Sequence, residues 1–181
     1  METKKSQTYG KMTQVLHWVS AVLLIGMAAA GVVMTRLPAG EMQSRLYRLH
    51  VGLGLLVLVL TIVRLAWRFR DPWPAAPPGL SAARERAFEW NHILLYAVVV
   101  VLLASGVGTL LMSGSSLSPA EVSPELVQEV PAKKAHTVAS RVFIVLLLMH
   151  LGGVVQYQLK KGDTFGRMGV RLPGRGRHDD A

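Results

Sequence analysis

The sequence predicts an all-α membrane protein, a bundle of four transmembrane helices with both termini in the cytoplasm. Apolar residues make up 51% of the 181 residues and charged residues only 17%, which is too apolar a balance for an ordinary water-soluble domain. Four long stretches contain no Asp, Glu, Lys or Arg, and the Lys and Arg residues are unevenly distributed among the segments between them. The first observation indicates the membrane, the second the number of helices, and the third their orientation.

The stretches without charge are 12–35, 49–63, 90–120 and 142–159. A bilayer is crossed by ~20 apolar residues of helix, within a range of roughly 17 to 25. The second stretch reaches that length only if its helix starts earlier and Arg64 either snorkels or finds a partner inside the protein. We therefore expect helices at about 12–36, 46–69, 89–112 and 136–159, in one membrane domain that comprises residues 1–181.

The orientation follows from the positive charges, because cytoplasmic loops retain Lys and Arg during insertion. In a four-helix topology the two termini and the second connection share one side, which carries 14 of the 20 Lys and Arg residues. That side is predicted to be cytoplasmic, and the basic, glycine-rich tail at 160–181 is expected to be extended there. The net charge of +9 does not indicate a nucleic-acid partner, since the basic residues are spaced between apolar blocks.

Five histidines lie within or at the ends of the hydrophobic segments: His17, His50, His92, His136 and His150. Ionisable residues at membrane depth are rare and usually functional. His136 and His150 are 14 residues apart, which is roughly 21 Å along a helix and only about 40° around it. Depth therefore predicts two pairs. His50 and His136 lie near the side opposite the cytoplasm, which in a bacterium is the periplasmic side, and His17 and His150 lie near the cytoplasmic side.

Two imidazoles from different helices are the axial ligands that a non-covalent b-type haem requires. The chain has no Cys, which excludes iron–sulfur clusters and covalently attached haem. A zinc or copper site would need three or four ligands at one depth. We therefore expect two haem b groups, with the four paired histidines as iron ligands.

Arg64 and His92 are further candidate site residues. Arg64 follows His50 by 14 residues, so it should lie at the level of the cytoplasmic haem and could neutralise a haem propionate, unless it is a snorkelling helix-end arginine. His92 has no partner left at its depth. It could be a haem ligand in a different pairing, donate a hydrogen bond to a quinone carbonyl, or lie at the membrane interface beside Trp90 and Tyr96.

In their order and spacing, several short stretches resemble the bacterial cytochrome b561 family of small four-helix di-haem cytochromes of the inner membrane. They extend over nearly the whole chain: Leu16–Trp18, Leu49–Gly52, Val63–Arg68, Pro77–Pro78, Asn91–Tyr96, Lys134–His136, Met149–His150, Gly162–Asp163 and Arg167–Met168. The resemblance implies the same two histidine pairs. It also implies an inner-membrane location and exchange of electrons with the quinone pool, with ubiquinone as the acceptor.

One type within this family is a superoxide oxidase, which passes an electron from periplasmic superoxide through both haems to ubiquinone. The resemblance thus implies a quinone oxidoreductase of that kind. No residue in the sequence itself has the features of a catalytic nucleophile or of a general acid–base pair. Basic residues on the periplasmic side would attract an anionic donor, unless they are helix-end anchors or propionate partners. They are Arg45, Arg48, Lys133, Lys134 and Arg141.

Two other functions are compatible with the sequence. The same helices and histidines could form the cytochrome b membrane anchor of a multi-subunit dehydrogenase or hydrogenase, which would bind a partner protein in stable stoichiometry. Alternatively, the histidines could relay protons or pack in a protein without redox function, and such a protein would purify colourless.

Overall fold

A computed structural model of the chain describes residues 8–71, 76–77, 79–115, 117–160, 162 and 164–170. Most of the predicted tail, at 171–181, lies outside the described residues. Within them the chain is helical, with the elements α1 (Lys11–Met34), α2 (Glu41–Arg68), α3 (Ala82–Met112), a 3₁₀ turn (Pro119–Glu121), α4 (Pro124–Gln128), α5 (Pro131–Lys160) and α6 (Thr164–Arg167). Helices α1, α2, α3 and α5 are long and apolar enough to cross a membrane, so the predicted all-α membrane fold is confirmed.

Three of the four long helices start earlier than predicted. Helix α2 begins at Glu41, α3 at Ala82 and α5 at Pro131, rather than near 46, 89 and 136. The residues of the added turns are mostly polar or small, and Glu41 and Arg45 in one of them form an ion pair at 2.6 Å. Hydropathy locates only the apolar part of a helix, because the turns outside the bilayer need no apolar side chains.

The four long helices run up and down and pack mainly as two pairs, α1 with α2 and α3 with α5. The start of α1, the end of α2, the start of α3 and the end of α5 lie together at one end, which we call the terminal end. The opposite end, where α1 joins α2 and α3 leads to α5, is called the distal end.

The outside of the bundle is apolar, and a small buried cluster lies in its middle. Large apolar side chains such as Val22, Leu148 and Leu159 are more than half exposed, as expected of surfaces that face lipid. A buried cluster in the middle of the bundle joins Val98, Val99, Ala139, Phe143 and Leu146. This cluster holds α3 against α5.

Two segments outside the long helices, one connection and the start of the tail, are more ordered than the sequence predicts. The connection between α3 and α5 forms α4 and packs the buried residues Val122 and Val127 against Tyr47 at the distal end. The start of the tail, expected to be extended, forms α6 and turns back to the terminal end, where the Trp18 indole donates a hydrogen bond to the Met168 carbonyl at 2.9 Å. Their apolar contacts are made with residues far away in the chain, so local composition does not indicate them.

Candidate functional site: two histidine pairs in the bundle

The distal end contains the first histidine pair, His50 from α2 and His136 from the second turn of α5. The centroids of the two rings are 6.2 Å apart and the ring planes are nearly perpendicular, at 83°. Both residues are half-buried and line one cavity of about 430 Å³, the distal cavity. The structure thus brings together the pair that depth along the helices predicts.

Two glycines let helix backbones approach these rings. A Cβ atom at Gly31 would lie 3.5 Å from Cε1 of His50, and a Cβ atom at Gly106 would lie 3.4 Å from Cε1 of His136. Any side chain longer than alanine at these positions would project into the rings or the cavity between them. Gly31 and Gly106 therefore have a specific packing role beside the histidines, in addition to the general use of glycine in membrane helices.

Hydrogen bonding orients one distal ring and leaves a nitrogen of the other without a partner. His136 Nδ1 donates to the Leu102 carbonyl at 3.0 Å, and the Ser105 hydroxyl lies 3.3 Å from the same nitrogen. A neutral imidazole that donates through Nδ1 has its Nε2 lone pair free to bind a metal. His50 Nδ1 is buried and has no hydrogen-bond partner among the described residues.

The distal cavity is apolar over most of its wall, with three cations at its edge. Arg36, Lys133 and Arg141 line it, and the latter two belong to the basic set predicted on the periplasmic side. No described Asp or Glu lines the cavity. Its wall therefore carries a net positive charge, which favours an anion or a carboxylate-bearing ligand.

The terminal end contains the second pair, His17 from α1 and His150 from α5. Their ring centroids are 6.4 Å apart, with the planes inclined at 55°. Both rings line a second cavity of about 300 Å³, the terminal cavity. Leu24, Val99 and Phe143 line both cavities, so the two cavities are separated by little more than one layer of apolar side chains.

Arg64 lies in the terminal cavity at the level of His17. Its Nη2 donates a hydrogen bond of 3.0 Å to His17 Nδ1, and its guanidinium carbon lies 5.2 Å from the centroid of the Tyr96 ring. The structure therefore places Arg64 at the expected depth and inside the bundle. A snorkelling arginine would direct its guanidinium group towards the aqueous interface instead.

His92 joins the terminal pair as a third imidazole. Its ring centroid is 5.0 Å from that of His150, and its Nδ1 donates to the Phe88 carbonyl at 2.7 Å. Because the acceptor is a carbonyl, the proton of the neutral His92 ring is on Nδ1 and its Nε2 is an acceptor. His92 also lines the terminal cavity.

The ring distances fit binding of one metal ion by each predicted pair. A bond from an imidazole nitrogen to a metal is about 2.0–2.1 Å long, so two rings on opposite sides of one ion have centroids about 6.3 Å apart. The distances of 6.2 and 6.4 Å agree with that value, whereas the 5.0 Å between His92 and His150 is too short. Within the described residues no group of three or more metal-binding side chains is positioned for one ion. Two imidazoles from different helices at this spacing suit a haem iron.

The start of the tail also contributes to the terminal cavity, which sequence reasoning missed. Phe165, Arg167 and Met168 line it together with Tyr9. Burial raises the pKa of the Tyr9 hydroxyl, and the neighbouring Arg167 guanidinium opposes that shift. The only sequence signal was the resemblance at Gly162–Asp163 and Arg167–Met168, which carried no indication of where the segment packs.

Comparison with known proteins gives a consistent result over most of the chain. The family model for prokaryotic cytochrome b561 matches residues 8–169. The chain is 28% identical over 180 residues to cytochrome b561 homolog 2 of Escherichia coli (strain K12), with 92% of this chain and 93% of that protein covered. No solved structure gives a significant match.

Proposed function

Because the chain belongs to the prokaryotic cytochrome b561 family, we propose that it is a di-haem b-type cytochrome that carries electrons across a bacterial inner membrane. The family implies binding of b-type haem. We assign one haem to His17 and His150 and the other to His50 and His136. The observation that supports this assignment is the pair of ring distances, 6.4 and 6.2 Å, each across its own cavity.

The side chains around the rings suit this role. The Leu102 carbonyl holds the proton on Nδ1 of His136 and so presents Nε2 to the iron. At the terminal end, a His17 ring that bound the iron through Nε2 would carry its proton on Nδ1. Without haem, this same Nδ1 accepts a hydrogen bond from Arg64. Two donors cannot share a hydrogen bond, so haem binding would release Arg64 to a new acceptor. A haem propionate in the same cavity is such an acceptor.

We place the terminal end in the cytoplasm and the distal end in the periplasm, on the distribution of Lys and Arg. The cations around the distal cavity then favour an anionic one-electron donor from the periplasm, and superoxide is one. Oxidation of two superoxide anions yields two dioxygen molecules and two electrons. Ubiquinone takes up these two electrons together with two protons and becomes ubiquinol.

His92 is the residue we assign to the quinone. Its side chain lines the terminal cavity and its proton is held on Nδ1 by the Phe88 carbonyl, so the neutral ring would accept a hydrogen bond from a quinol hydroxyl through Nε2. Donation to a quinone carbonyl would require the protonated ring. After taking up a proton from the cytoplasmic side, His92 would deliver it as the quinone is reduced, and the neutral ring that remains would then accept a hydrogen bond from the quinol.

The haem content of the purified protein tests this function. We expect about two b haems per chain in a pyridine haemochrome assay, with absorbance changes on reduction that are typical of bis-histidine ligation. A folded, haem-supplied preparation that contained none would rule out electron transfer by this chain. A stable complex with another redox subunit would indicate the membrane-anchor function instead.

Replacement of Gly106 by leucine should empty the distal haem site. The new side chain would begin 3.4 Å from the His136 ring and extend into the distal cavity, so the haem content is expected to fall from about two to about one per chain. Gly26→Leu is the matched control, since a Cβ atom there has no neighbour within 4 Å. Equal haem contents in the two variants would show that Gly106 is not a haem contact.

A further inference from the structure

We propose that Ser105 is a positioning residue for the distal haem: its hydroxyl oxygen accepts a hydrogen bond from the His136 ring and so lowers the reduction potential of the iron that this ring binds. The inference rests on the proposed function, because it concerns the haem assigned to His50 and His136. It adds to that function a residue that acts through an iron ligand, and a physical reason for electrons to leave the distal haem.

Ser105 lies in α3 next to the His136 ring. Its hydroxyl oxygen is 3.3 Å from Nδ1 of His136. Its neighbour Gly106 lines the distal cavity, whereas Ser105 itself does not. A Cβ atom at Gly106 would lie 3.5 Å from the same Nδ1, so the glycine lets α3 approach the ring closely. The hydroxyl therefore reaches the nitrogen of the ring without forming part of the cavity wall.

The hydroxyl oxygen accepts rather than donates in this contact. The Leu102 carbonyl, 3.0 Å from His136 Nδ1, can only accept, so the proton of the neutral ring is on Nδ1. Ser105 Oγ donates to the Val101 carbonyl at 2.6 Å and lies farther from the Leu102 carbonyl, at 3.1 Å. With its proton directed to Val101, the oxygen presents a lone pair to the imidazole N–H. The Nδ1 proton thus has two acceptors in a three-centre hydrogen bond.

A second acceptor at Nδ1 changes the electron density at the other nitrogen of the ring. Hydrogen bonding of Nδ1–H makes Nε2 a stronger electron donor to a metal. A stronger donor stabilises the oxidised iron more than the reduced iron, because the oxidised iron carries one more positive charge. Hydrogen bonds to the axial ligands are one means by which a protein sets the potential of a haem. The Ser105 hydroxyl therefore favours release of an electron from the distal haem towards the terminal haem.

The test measures the midpoint potentials of both haems by spectroscopic redox titration of the purified holoprotein. In Ser105→Ala the distal potential should rise by about threefold in the one-electron equilibrium constant, or about 28 mV at 59 mV per tenfold change. The terminal potential and the content of about two haems per chain should not change, and His136→Ala identifies which component of the titration is the terminal haem. Ser140→Ala is the matched control, because Ser140 lines the distal cavity and its hydroxyl donates to the Thr137 carbonyl at 2.8 Å.

Ser105→Thr returns a hydroxyl to the same position and should restore the wild-type distal potential. An unchanged or lower potential in Ser105→Ala, an equal rise in Ser140→Ala, or no restoration in Ser105→Thr would each overturn the proposal. If Ser105→Ala binds no distal haem, Ser105→Cys provides the test. Its thiol is a weaker acceptor, so its distal potential should exceed that of wild type, and a wild-type value or loss of the haem would overturn the proposal. The proposed function stands in all these cases as long as wild type binds two haems, whereas wild type without haem would contradict that function.

Discussion

Replacement of His136 by alanine is expected to leave about one haem per chain instead of about two, with the loss confined to the distal end. The substitution removes one of the two rings that face each other at 6.2 Å across the distal cavity. The rings of His17 and His150 remain in a separate cavity. His50→Ala should give the same result, because an iron with one axial histidine is held less strongly. Pyridine haemochrome content and reduced-minus-oxidised spectra measure the change.

The same variant should lose electron transfer from a donor supplied at the distal side of proteoliposomes that contain ubiquinone. A small reductant that reaches the terminal end directly should still reduce the remaining haem. Thr137→Ala is a matched control: Thr137 lies next to His136 and lines the same cavity, but its hydroxyl donates to the Lys133 carbonyl rather than to either ring. It should keep both haems. Loss of both haems from folded His136→Ala, or of neither, would contradict the pairing by depth.

The pairing could be predicted from the sequence because depth along a straight helix depends only on residue number. His136 and His150 are 14 residues apart, close to four full turns, so one helix presents both rings on one face. Their partners His17 and His50 could then be chosen by level alone. The four membrane helices could be predicted for a similar reason, since the bilayer sets the length of the apolar stretch.

Contacts between helices were not predictable in this way. Whether Gly31 and Gly106 face the rings depends on how each helix is rotated about its axis, and the apolar faces towards lipid and towards the bundle look alike in sequence. The fold of α6 against Trp18 joins residues 150 positions apart. Arg64 combines a predictable and an unpredictable feature. Its depth in the membrane follows from its residue number, whereas its contact with His17 depends on how α1 and α2 pack.

The three histidines at the terminal end give the second prediction: His17→Ala should remove the terminal haem, while His92→Ala should keep it. Two rings that bind one iron from opposite sides have centroids about 6.3 Å apart, which His17 and His150 meet at 6.4 Å. His92 lies only 5.0 Å from His150 and is fixed by its hydrogen bond to Phe88. Haem content should therefore be about one per chain in His17→Ala and about two in His92→Ala.

His92→Ala should instead change the reaction with quinone. Without the imidazole at the terminal cavity, the variant should need a higher ubiquinone concentration for half-maximal rate, with the spectra of both haems unchanged. His92→Gln keeps a group that can donate and accept hydrogen bonds, and it should recover part of the quinone affinity without restoring a titratable proton donor. The opposite pattern, in which His92→Ala loses the terminal haem and His17→Ala retains it, would make His92 the iron ligand opposite His150. His17 would then be left as the hydrogen-bond partner of Arg64.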